Sequence, residues 1–349
     1  MCAVFCLVSC DHEHSYKNGV CSCGQKEPSQ GLEIKLNSDG VTYGVTGIGT
    51  CTDTDIVIPS EYEGKPVTAI GDYAFSGKKE LTSVEIPDSI TYVGLNAFKD
   101  CTNVVELEGG IEYVGKWAVD YDYQVSMPVI RKDTVGIASS TFISAKFSRI
   151  DRPDSVLYVN NMAFARCTNL NSILLGKSVV KVGETAFDGC TALLTIKVSE
   201  ENSVYKCVDG SLYSKDGVTL VRYATGKDVT DFTVPEGVKT IGKYAFADCT
   251  RLTNVYFPAG IKIIDNYAFK GCSNLRSVAM PESLYMICKG AFFGCNRLAS
   301  AHFADDEGWY VAASRIEVAG TAIDFPSYQI NAAYLVLLSE EGYFKNSDK

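Results

Sequence analysis

Short alternations of apolar and polar residues recur along most of the chain, and each is followed by an Ala-Phe pair or a close variant of it. The stretch LTNVYFP, which begins at Leu252, is rich in β-branched and aromatic residues, so it predicts a short strand. Pro258 ends this strand, because proline has no N–H to donate to a ladder. The stretch IKIIDNYAF that follows predicts a second extended piece and a tight turn.

The phenylalanine of the Ala-Phe pair gives the period of the pattern. Val119 and Phe142 fit as degenerate members of a series that otherwise consists of Phe75, Phe98, Phe164, Phe187, Phe246, Phe269 and Phe292. Most members follow the previous one at a spacing of 21 to 23 in the numbering, whereas Phe246 follows Phe187 at a spacing of 59, so one repeat carries a long insertion. A fixed period of this length predicts a repeat architecture.

A unit of this length is too short to bury its own apolar face, so neighbouring units must stack into a solenoid in which each residue type forms a column. At about 4.8 Å per strand layer, nine turns would make a rod or arc about 40 Å long.

One of these columns is made of cysteine. Six of the 14 cysteines share one position of the repeat: Cys101, Cys167, Cys190, Cys249, Cys272 and Cys295. A free cysteine behaves as a small buried hydrophobe. The alternative is a column of disulfides or metal ligands, but three successive members cannot all pair, and parallel Cβ vectors suit disulfide geometry poorly. We therefore expect structural thiols.

The repeat unit resembles that of the BspA-type leucine-rich repeat family, whose pattern is LxxVxIPxxIxxIGxxAFxxCxxL. The match covers roughly Pro59 to Phe303. It implies a β-rich, right-handed solenoid of about nine 23-residue units with caps and short turns or helical pieces. The repeats near Val119 and Phe142 lack the cysteine, and DYDYQVSMPVIRKD breaks the pattern, so residues 120–155 are expected to stack irregularly.

The flanking segments predict caps. Residues 31–58, with an Asp39-Gly40 turn, predict an N-terminal β-hairpin cap that leads into the solenoid of residues 59–303. The insertion at about residues 199–233 contains two Asp-Gly turns, which predict short hairpins that project from the stack. Residues 304–349 predict a closing cap with a helix near Tyr328 to Ser339. Trp309 and Tyr310 could instead form an adhesive aromatic patch.

Residues 1–30 predict the location of the protein. MCAVFCLVSC resembles a bacterial lipobox, which implies lipidation of Cys10 and a flexible tether after it. Only nine residues precede Cys10 and none is basic, unlike an ordinary signal peptide. A lipoprotein, another exported form and a cytoplasmic protein are therefore the alternatives. We expect a lipid-anchored protein of the bacterial cell surface that meets the membrane only through its anchor.

Four residues of this tether are potential zinc ligands: His12, His14, Cys21 and Cys23. Zinc takes such nitrogen and sulfur ligands. However, Cys-Ser-Cys is a tighter pair than the usual CxxC, and a plain flexible linker is the simpler interpretation. We expect no other cofactor.

The charge and the motifs narrow the function. A net charge of −10 argues against nucleic-acid binding, which needs a basic footprint. The sequence also lacks an apolar run long enough to form a membrane-spanning helix. No GxSxG, HExxH or P-loop motif is present, and Gly47-Ile48-Gly49 lacks the third glycine of a dinucleotide site. His302 has no sequence partners for a triad, so we expect no enzyme.

The remaining hypotheses are a binding protein and a structural envelope protein that assembles with itself. Solenoids present long curved surfaces, and aromatic residues dominate interface energetics. The outward strand positions selected as ligand contacts are Glu85, Glu106, Glu108, Lys197, Asn254, Tyr256 and His302. The family resemblance implies a surface adhesin or interaction scaffold whose partner is an extracellular protein or glycan, although the same positions also fit a solvated face without a ligand.

Overall fold

The computed structural model describes residues 15–17, 19–21, 25–150, 153–304, 309–312, 321–322, 330–331 and 343–346. All regular structure in these residues is β-strand, and no helix occurs among them. The chain divides into two compact units, Met1–Glu106 and Leu107–Lys349. This division falls inside the segment 59–303 that the sequence assigns to one solenoid.

Among the described residues, nine strands belong to the first unit. They are β1 (Tyr16–Lys17), β2 (Val20–Cys21), β3 (Glu33–Leu36), β4 (Tyr43–Gly47), β5 (Asp55–Val57), β6 (Glu61–Tyr62), β7 (Lys65–Ile70), β8 (Ser83–Glu85) and β9 (Tyr92–Val93). Strands β3 and β4 pair antiparallel around the Asp39-Gly40 turn, where Gly40 has a φ of 72°. Parallel pairing then runs from β4 to β7 and β9, while β5 pairs with β8.

The next strands run from the boundary between the two units to Arg222. They are β10 (Glu106–Glu108), β11 (Ile111–Val114), β12 (Trp117–Tyr121), β13 (Gly136–Ile137), β14 (Arg149–Ile150), β15 (Tyr158–Val159), β16 (Ser172–Leu175), β17 (Lys181–Val182), β18 (Thr195–Val198), β19 (Tyr205–Val208), β20 (Ser211–Ser214) and β21 (Thr219–Arg222). The first residue of β10, Glu106, is the last residue of the first unit.

The remaining strands follow the insertion. They are β22 (Asp231–Thr233), β23 (Thr240–Ile241), β24 (Asn254–Tyr256), β25 (Ile263–Ile264), β26 (Ser277–Met280), β27 (Met286–Ile287), β28 (Ser300–Phe303), β29 (Trp309–Ala312), β30 (Thr321–Ala322), β31 (Ile330–Asn331) and β32 (Tyr343–Asn346).

Each regular layer contributes two strands, and this confirms the predicted β-solenoid. The front strand carries the apolar-polar alternation, and the rear strand precedes the Ala-Phe turn. Front strands form parallel ladders β14-β16-β18 and β22-β24-β26-β28, and rear strands form β12-β13-β15-β17 and β21-β23-β25-β27. In the front ladder Asn254 lies beside Ser277 and Ser277 beside Ser300, so neighbouring residues differ by one repeat period.

The described residues of the second unit form two hydrophobic cores. The first stack is defined by buried residues from Ile111 to Ile196 together with Leu212, and the second stack by those from Tyr213 to Phe303. Strand β20 therefore supplies Leu212 to the first core and the next residue, Tyr213, to the second. Both side chains are buried, with at most 2% of their surface exposed.

The phenylalanine column forms a continuous ring stack within each core. Ring centroids of Phe246 and Phe269 are 4.7 Å apart, and those of Phe269 and Phe292 are 5.2 Å apart, with nearly parallel planes. Phe142 and Phe164 stack in the same way at 5.1 Å in the first stack. Full burial of one such side chain stabilises the fold by about 1.5–3 kcal/mol, so this column is a main source of core stability.

In most turns two residues take left-handed backbone conformations. They flank the Ala-Phe pair: in one layer Tyr244 has a φ of 54° and Asp248 a φ of 61°, and in the next Tyr267 has 56° and Gly271 has 73°. Glycine suits such positions, and other residues adopt them only at a cost in strain. Tight packing on both sides holds these corners in place.

The cysteine column is buried, as expected, and no described cysteine is in a disulfide. In most layers the thiol donates to the backbone carbonyl of the aromatic residue one layer earlier. Cys272 Sγ lies 3.1 Å from Phe246 O, and Cys190 Sγ lies 2.9 Å from Phe164 O. Burial raises the pKa of the Cys272 thiol, which keeps it protonated and able to donate. The prediction of structural thiols is therefore confirmed for the described cysteines.

The hairpins of the insertion do not project from the stack, which corrects the sequence-based expectation. Strand β20 pairs antiparallel with β19 on one side and with β21 on the other. Strand β21 then pairs parallel with β23 of the rear ladder. The ring of Tyr223 stacks at 5.1 Å on Phe246 and therefore fills a place in the phenylalanine column. The insertion is integrated because its apolar residues, such as Leu220, are buried.

Two further expectations need correction. Val119 does not end a repeat, because it lies in β12, which pairs antiparallel with β11. Regular parallel pairing resumes at Gly136 in β13, so only the first part of residues 120–155 is irregular. The predicted helix near Tyr328 to Ser339 is wrong at Ile330–Asn331, because these two residues form a strand beside β28. The other residues of the predicted helix lie outside the described residues.

Candidate ligand-binding surface

The front strands direct alternate side chains outward, because successive residues of a strand point to opposite faces. In β24 the middle residue, Val255, is buried, whereas Tyr256 is 51% exposed. The same alternation recurs in β26 and β28. The register of one repeat period therefore arranges the outward positions of the second stack into two columns.

The first column is a connected row of polar side chains on β22, β24 and β26. Asn254 Nδ2 donates to Asp231 Oδ1 at 2.8 Å, and Ser277 Oγ donates to Asn254 Oδ1 at 3.1 Å. Thr230 Oγ1 also donates to Asp231 Oδ2 at 2.6 Å. Hydrogen bonds from Thr230 and Asn254 lower the pKa of Asp231, so this carboxylate remains charged at neutral pH.

The second column places a small residue between two rings. Tyr256 lies beside Ala279 in the register, and Ala279 lies beside His302. Because adjacent strands are about 4.8 Å apart, the strand positions of Tyr256 and His302 are roughly 10 Å apart. The methyl group of Ala279 leaves a shallow notch between a phenol and an imidazole. The charged Asp231 lies on the other side of β24, where its Oδ1 is 3.5 Å from the Tyr256 hydroxyl oxygen.

The other predicted contacts do not extend this row. Lys197 is exposed on β18, in the separate sheet β14-β16-β18, where its register neighbour is the exposed Leu174. Glu85 belongs to the first unit, where its Oε2 lies 3.2 Å from the ammonium nitrogen of Lys26. Among the seven candidates, only Asn254, Tyr256 and His302 lie on the front sheet of the second stack.

Glu106 and Glu108 lie on β10, which neighbours β11 in a sheet of rear strands rather than front strands. Glu108 Oε2 is 3.8 Å from Arg131 Nη1, at the solvent-exposed surface. The sequence assigned both glutamates to the front because their spacing resembles a front strand. Non-local pairing with β11 decides their place instead.

Asp231 is the residue of this surface that the sequence analysis missed. It lies one repeat period before Asn254 and pairs with it in the ladder. The signal was therefore present, but the insertion that precedes Asp231 concealed the start of its repeat.

The predicted lipidation site Cys10 and the possible zinc ligands His12, His14 and Cys23 lie outside the described residues. Cys21 is described and is buried in β2. Within the described part of the chain, no group of three or more His, Cys, Asp or Glu residues is arranged to hold a metal ion. No helix of that part has the length and hydropathy that a membrane crossing requires.

A family model for the BspA type leucine-rich repeat region matches residues 50–142, 135–215 and 222–307, with six copies of the repeat. The chain is a member of the BspA-type leucine-rich repeat family. The matched residues make up well over half of its length, and they include both stacks of the second unit. No match is found among curated proteins.

Solved structures of other leucine-rich repeat proteins are similar to this BspA-type chain. A leucine-rich repeat protein from Eubacterium ventriosum is 21% identical, with a TM-score of 0.51, and the match covers 80% of this chain and 71% of that one. The pneumococcal vaccine antigen PcpA is 21% identical over 73% of this chain and 63% of its own, with a TM-score of 0.46. A leucine-rich cell surface protein from Faecalibacterium prausnitzii is 23% identical over 85% and 96%, with a TM-score of 0.40. At 21% identity, the similarity to the Eubacterium ventriosum protein supports the fold alone.

Proposed function

We propose that this chain is a non-enzymatic binding protein of the bacterial cell surface, which holds an extracellular protein or glycan on the front face of its second stack. The observation that carries the proposal is the pair of columns around Tyr256. An exposed phenol, a small notch at Ala279 and the imidazole of His302 lie beside a prearranged row of polar groups.

This arrangement suits binding because its parts are already ordered. Asp231 and Asn254 are held by hydrogen bonds of 2.6 Å and 2.8 Å, so little side-chain entropy is lost when a ligand binds. Tyrosine contributes a large contact area with only two rotatable side-chain bonds, as it does in antibody binding sites. The amide, hydroxyl and carboxylate groups can bond either sugar hydroxyls or peptide amides.

A binding screen tests this proposal. The full chain is measured against extracellular-matrix proteins and a glycan array, beside the double variant Tyr256→Ala, His302→Ala. We expect saturable binding that weakens by about 2 kcal/mol or more in the variant, because aromatic anchors dominate binding energy.

Tyr73→Ala is the matched control. Tyr73 is 54% exposed, close to the 51% of Tyr256, but it lies in an Ala-Phe turn of the first unit. Loss of binding in this control as well would contradict a front-face site. Concentration-dependent self-association without any ligand, measured by sedimentation, would support the alternative of an envelope assembly protein.

Export and anchoring through Cys10 have a separate test. Expression of the full chain in a bacterial host with labelled palmitate should give a labelled, membrane-bound product, and Cys10→Ser should release it. Equal labelling of both forms would contradict lipidation at Cys10 and would leave the front-face proposal untouched.

A further inference from the structure

One layer of the second unit has a shortened corner. In the regular layers, four residues connect the rear strand to the aromatic residue of the turn, and we call this connection the arch. Residues 183–186 form one such arch, and residues 242–245 form another. The layer that lies between these two belongs to the insertion.

The arch of this intermediate layer has only two residues. Leu220 is paired with Ile241 in the rear ladder, and Tyr223 occupies the aromatic column of the same layer. Only Val221 and Arg222 lie between these two fixed points. The layer therefore lacks two residues of backbone that its neighbours possess.

The missing residues leave a slot between the two flanking arches. Its volume is about 290 Å³, which is at the lower end of the range for ligand pockets. Glycines stand on both sides of it, and Val221 and Arg222 form the shortened corner. The residues that line it include Gly183, Glu184, Thr219, Thr240, Gly242 and Lys243.

Arg222 holds the slot open. It takes the position that alanine has in most layers, is 3% exposed, and donates to Asp188 Oδ1 at 2.8 Å and to Tyr244 O at 2.7 Å. Its second terminal nitrogen donates to the carbonyls of Phe187 and Ala247. Because these bonds fix the guanidinium, the side chain cannot swing outward and fill the space.

The slot is lined by two acidic side chains, Glu184 and Asp265, and by two basic ones, Arg222 and Lys243. Arg222 is paired with Asp188, and Lys243 Nζ lies 2.9 Å from Glu184 Oε1. Such a balance favours an uncharged polar ligand over a free anion or cation. An aromatic platform for a sugar ring is not available, because Phe187 is buried in the core.

The backbone around the slot offers an unused donor. In five other turns the phenylalanine N–H donates to the alanine carbonyl of the next layer; these are the turns of Phe75, Phe142, Phe164, Phe246 and Phe269. Phe187 lies in the turn next to the shortened layer and lines the slot. Its N–H has no acceptor among the described residues.

We propose that this slot binds a short, extended peptide segment of a partner protein, whose backbone takes the place of the two missing arch residues. A carbonyl of the segment would accept the Phe187 N–H, and its uncharged amides match the balanced charges of the slot. Gly183 and Gly242 line the slot on its two sides, where the segment would lie between the flanking arches. This site is separate from the front face and does not depend on it.

The test uses the full chain labelled with ¹⁵N and the uncharged blocked peptide acetyl-Gly-Ser-Tyr-Ala-amide, which reproduces the arch of residues 242–245 with serine in place of Lys243. We expect saturable shifts of the Phe187, Gly183 and Gly242 amides. Val221→Trp, which fills the slot, should weaken binding at least about tenfold, or about 1.4 kcal/mol. Tyr256→Ala should leave peptide binding unchanged.

A second variant tests the proposal independently, in case Val221→Trp does not fold. Insertion of Gly-Lys between Val221 and Arg222 restores an arch of ordinary length and should also abolish the shifts, with the thermal midpoint retained. The proposal is overturned if the native chain shows no shifts at millimolar peptide, or if both folded variants bind like the native chain. Shifts of the same amides by a neutral disaccharide but not by the peptide would also overturn it.

Discussion

The two stacks of the second unit begin in the same way and then diverge. Each starts with an antiparallel hairpin, β11–β12 or β20–β21, whose second strand joins the rear ladder in parallel. In the second stack the hairpin leads directly into a turn whose Tyr223 ring stacks on Phe246. In the first stack the Tyr121 ring is tilted by 55° against Phe142, and a loop with the exposed Met127 follows. An aromatic residue at the correct spacing therefore keeps an insertion in register, and a hairpin alone does not.

The arginines of the two entry segments offer the sharpest test of this comparison. Arg222 is buried with its partner Asp188, whose pKa is raised by burial and lowered in turn by the Arg222 guanidinium. Arg222→Ala leaves that carboxyl group without its partner, so we expect a loss of about 3–5 kcal/mol in the free energy of unfolding. Urea denaturation followed by circular dichroism measures it.

Arg131→Ala is the matched change in the first stack. Arg131 lies near the surface over the Tyr113 ring and pairs with the exposed Asp133, so its loss should cost only about 1–2 kcal/mol. Equal costs for Arg222→Ala and Arg131→Ala would contradict the view that the second stack alone has a buried anchor at its entry.

The cysteine column predicts a smaller effect. Cys272→Ala removes a buried thiol and its hydrogen bond to Phe246 O, which should cost about 1–2 kcal/mol. Cys249 is the first cysteine of the second stack, and its Sγ lies 4.0 Å from its acceptor, Ala247 O, so Cys249→Ala should cost less. The same denaturation experiment ranks the two variants, and the opposite order would rule out a contribution from the thiol hydrogen bond.

The left-handed corners predict a gain in stability. Arg166 in the first stack has a φ of 58° and Asp248 in the second has a φ of 61°. Glycine relieves this strain, so Arg166→Gly should stabilise the protein by about 0.5–1 kcal/mol. Asp248→Gly should gain less, because aspartate tolerates this conformation better than arginine does. Thermal midpoints measure both, and a lower midpoint for Arg166→Gly would show that its side-chain contacts outweigh the strain.

The smallest predicted effect concerns the first front strand of each stack, which begins with Arg149 in one and Asp231 in the other. Because the folded pKa of Asp231 is lowered, its charge stabilises the fold at neutral pH, and this contribution disappears as the pH falls through that pKa. Asn254→Ala should move the pKa upward, as measured by NMR titration of the carboxyl carbon. An unchanged pKa would mean that the hydroxyl groups of Thr230 and Tyr256, rather than Asn254, are responsible.

Much of this fold could be predicted because the repeat reports local and periodic contacts. The spacing of the Ala-Phe pairs identified the buried rings, such as Phe269, and the cysteines beneath them. It also identified Tyr256 and His302 as outward neighbours, since strand alternation and the register between layers follow from the period alone.

The remainder depends on non-local pairing that periodicity does not report. The apolar residues of β12 pair with a hairpin partner, so Val119 was wrongly assigned to a turn. Tyr223 lies one repeat period before Phe246, but arginine and tyrosine stand there in place of alanine and phenylalanine, so the Ala-Phe signature does not mark it. The two-residue arch at Val221 was invisible, since it requires both the ladder register and the ring stack to be known.

Strand β20 has one further consequence for the molecule. Solenoids can melt from one end or in separate blocks, because each layer contacts only its neighbours. Here β20 contributes Leu212 to the core of the first stack and Tyr213 to the core of the second. If either stack unfolds, β20 loses the apolar contacts on one of its faces, and the other stack then loses a strand that it needs. The second unit should therefore lose both blocks in one cooperative event, with a single calorimetric peak and a matching van't Hoff enthalpy.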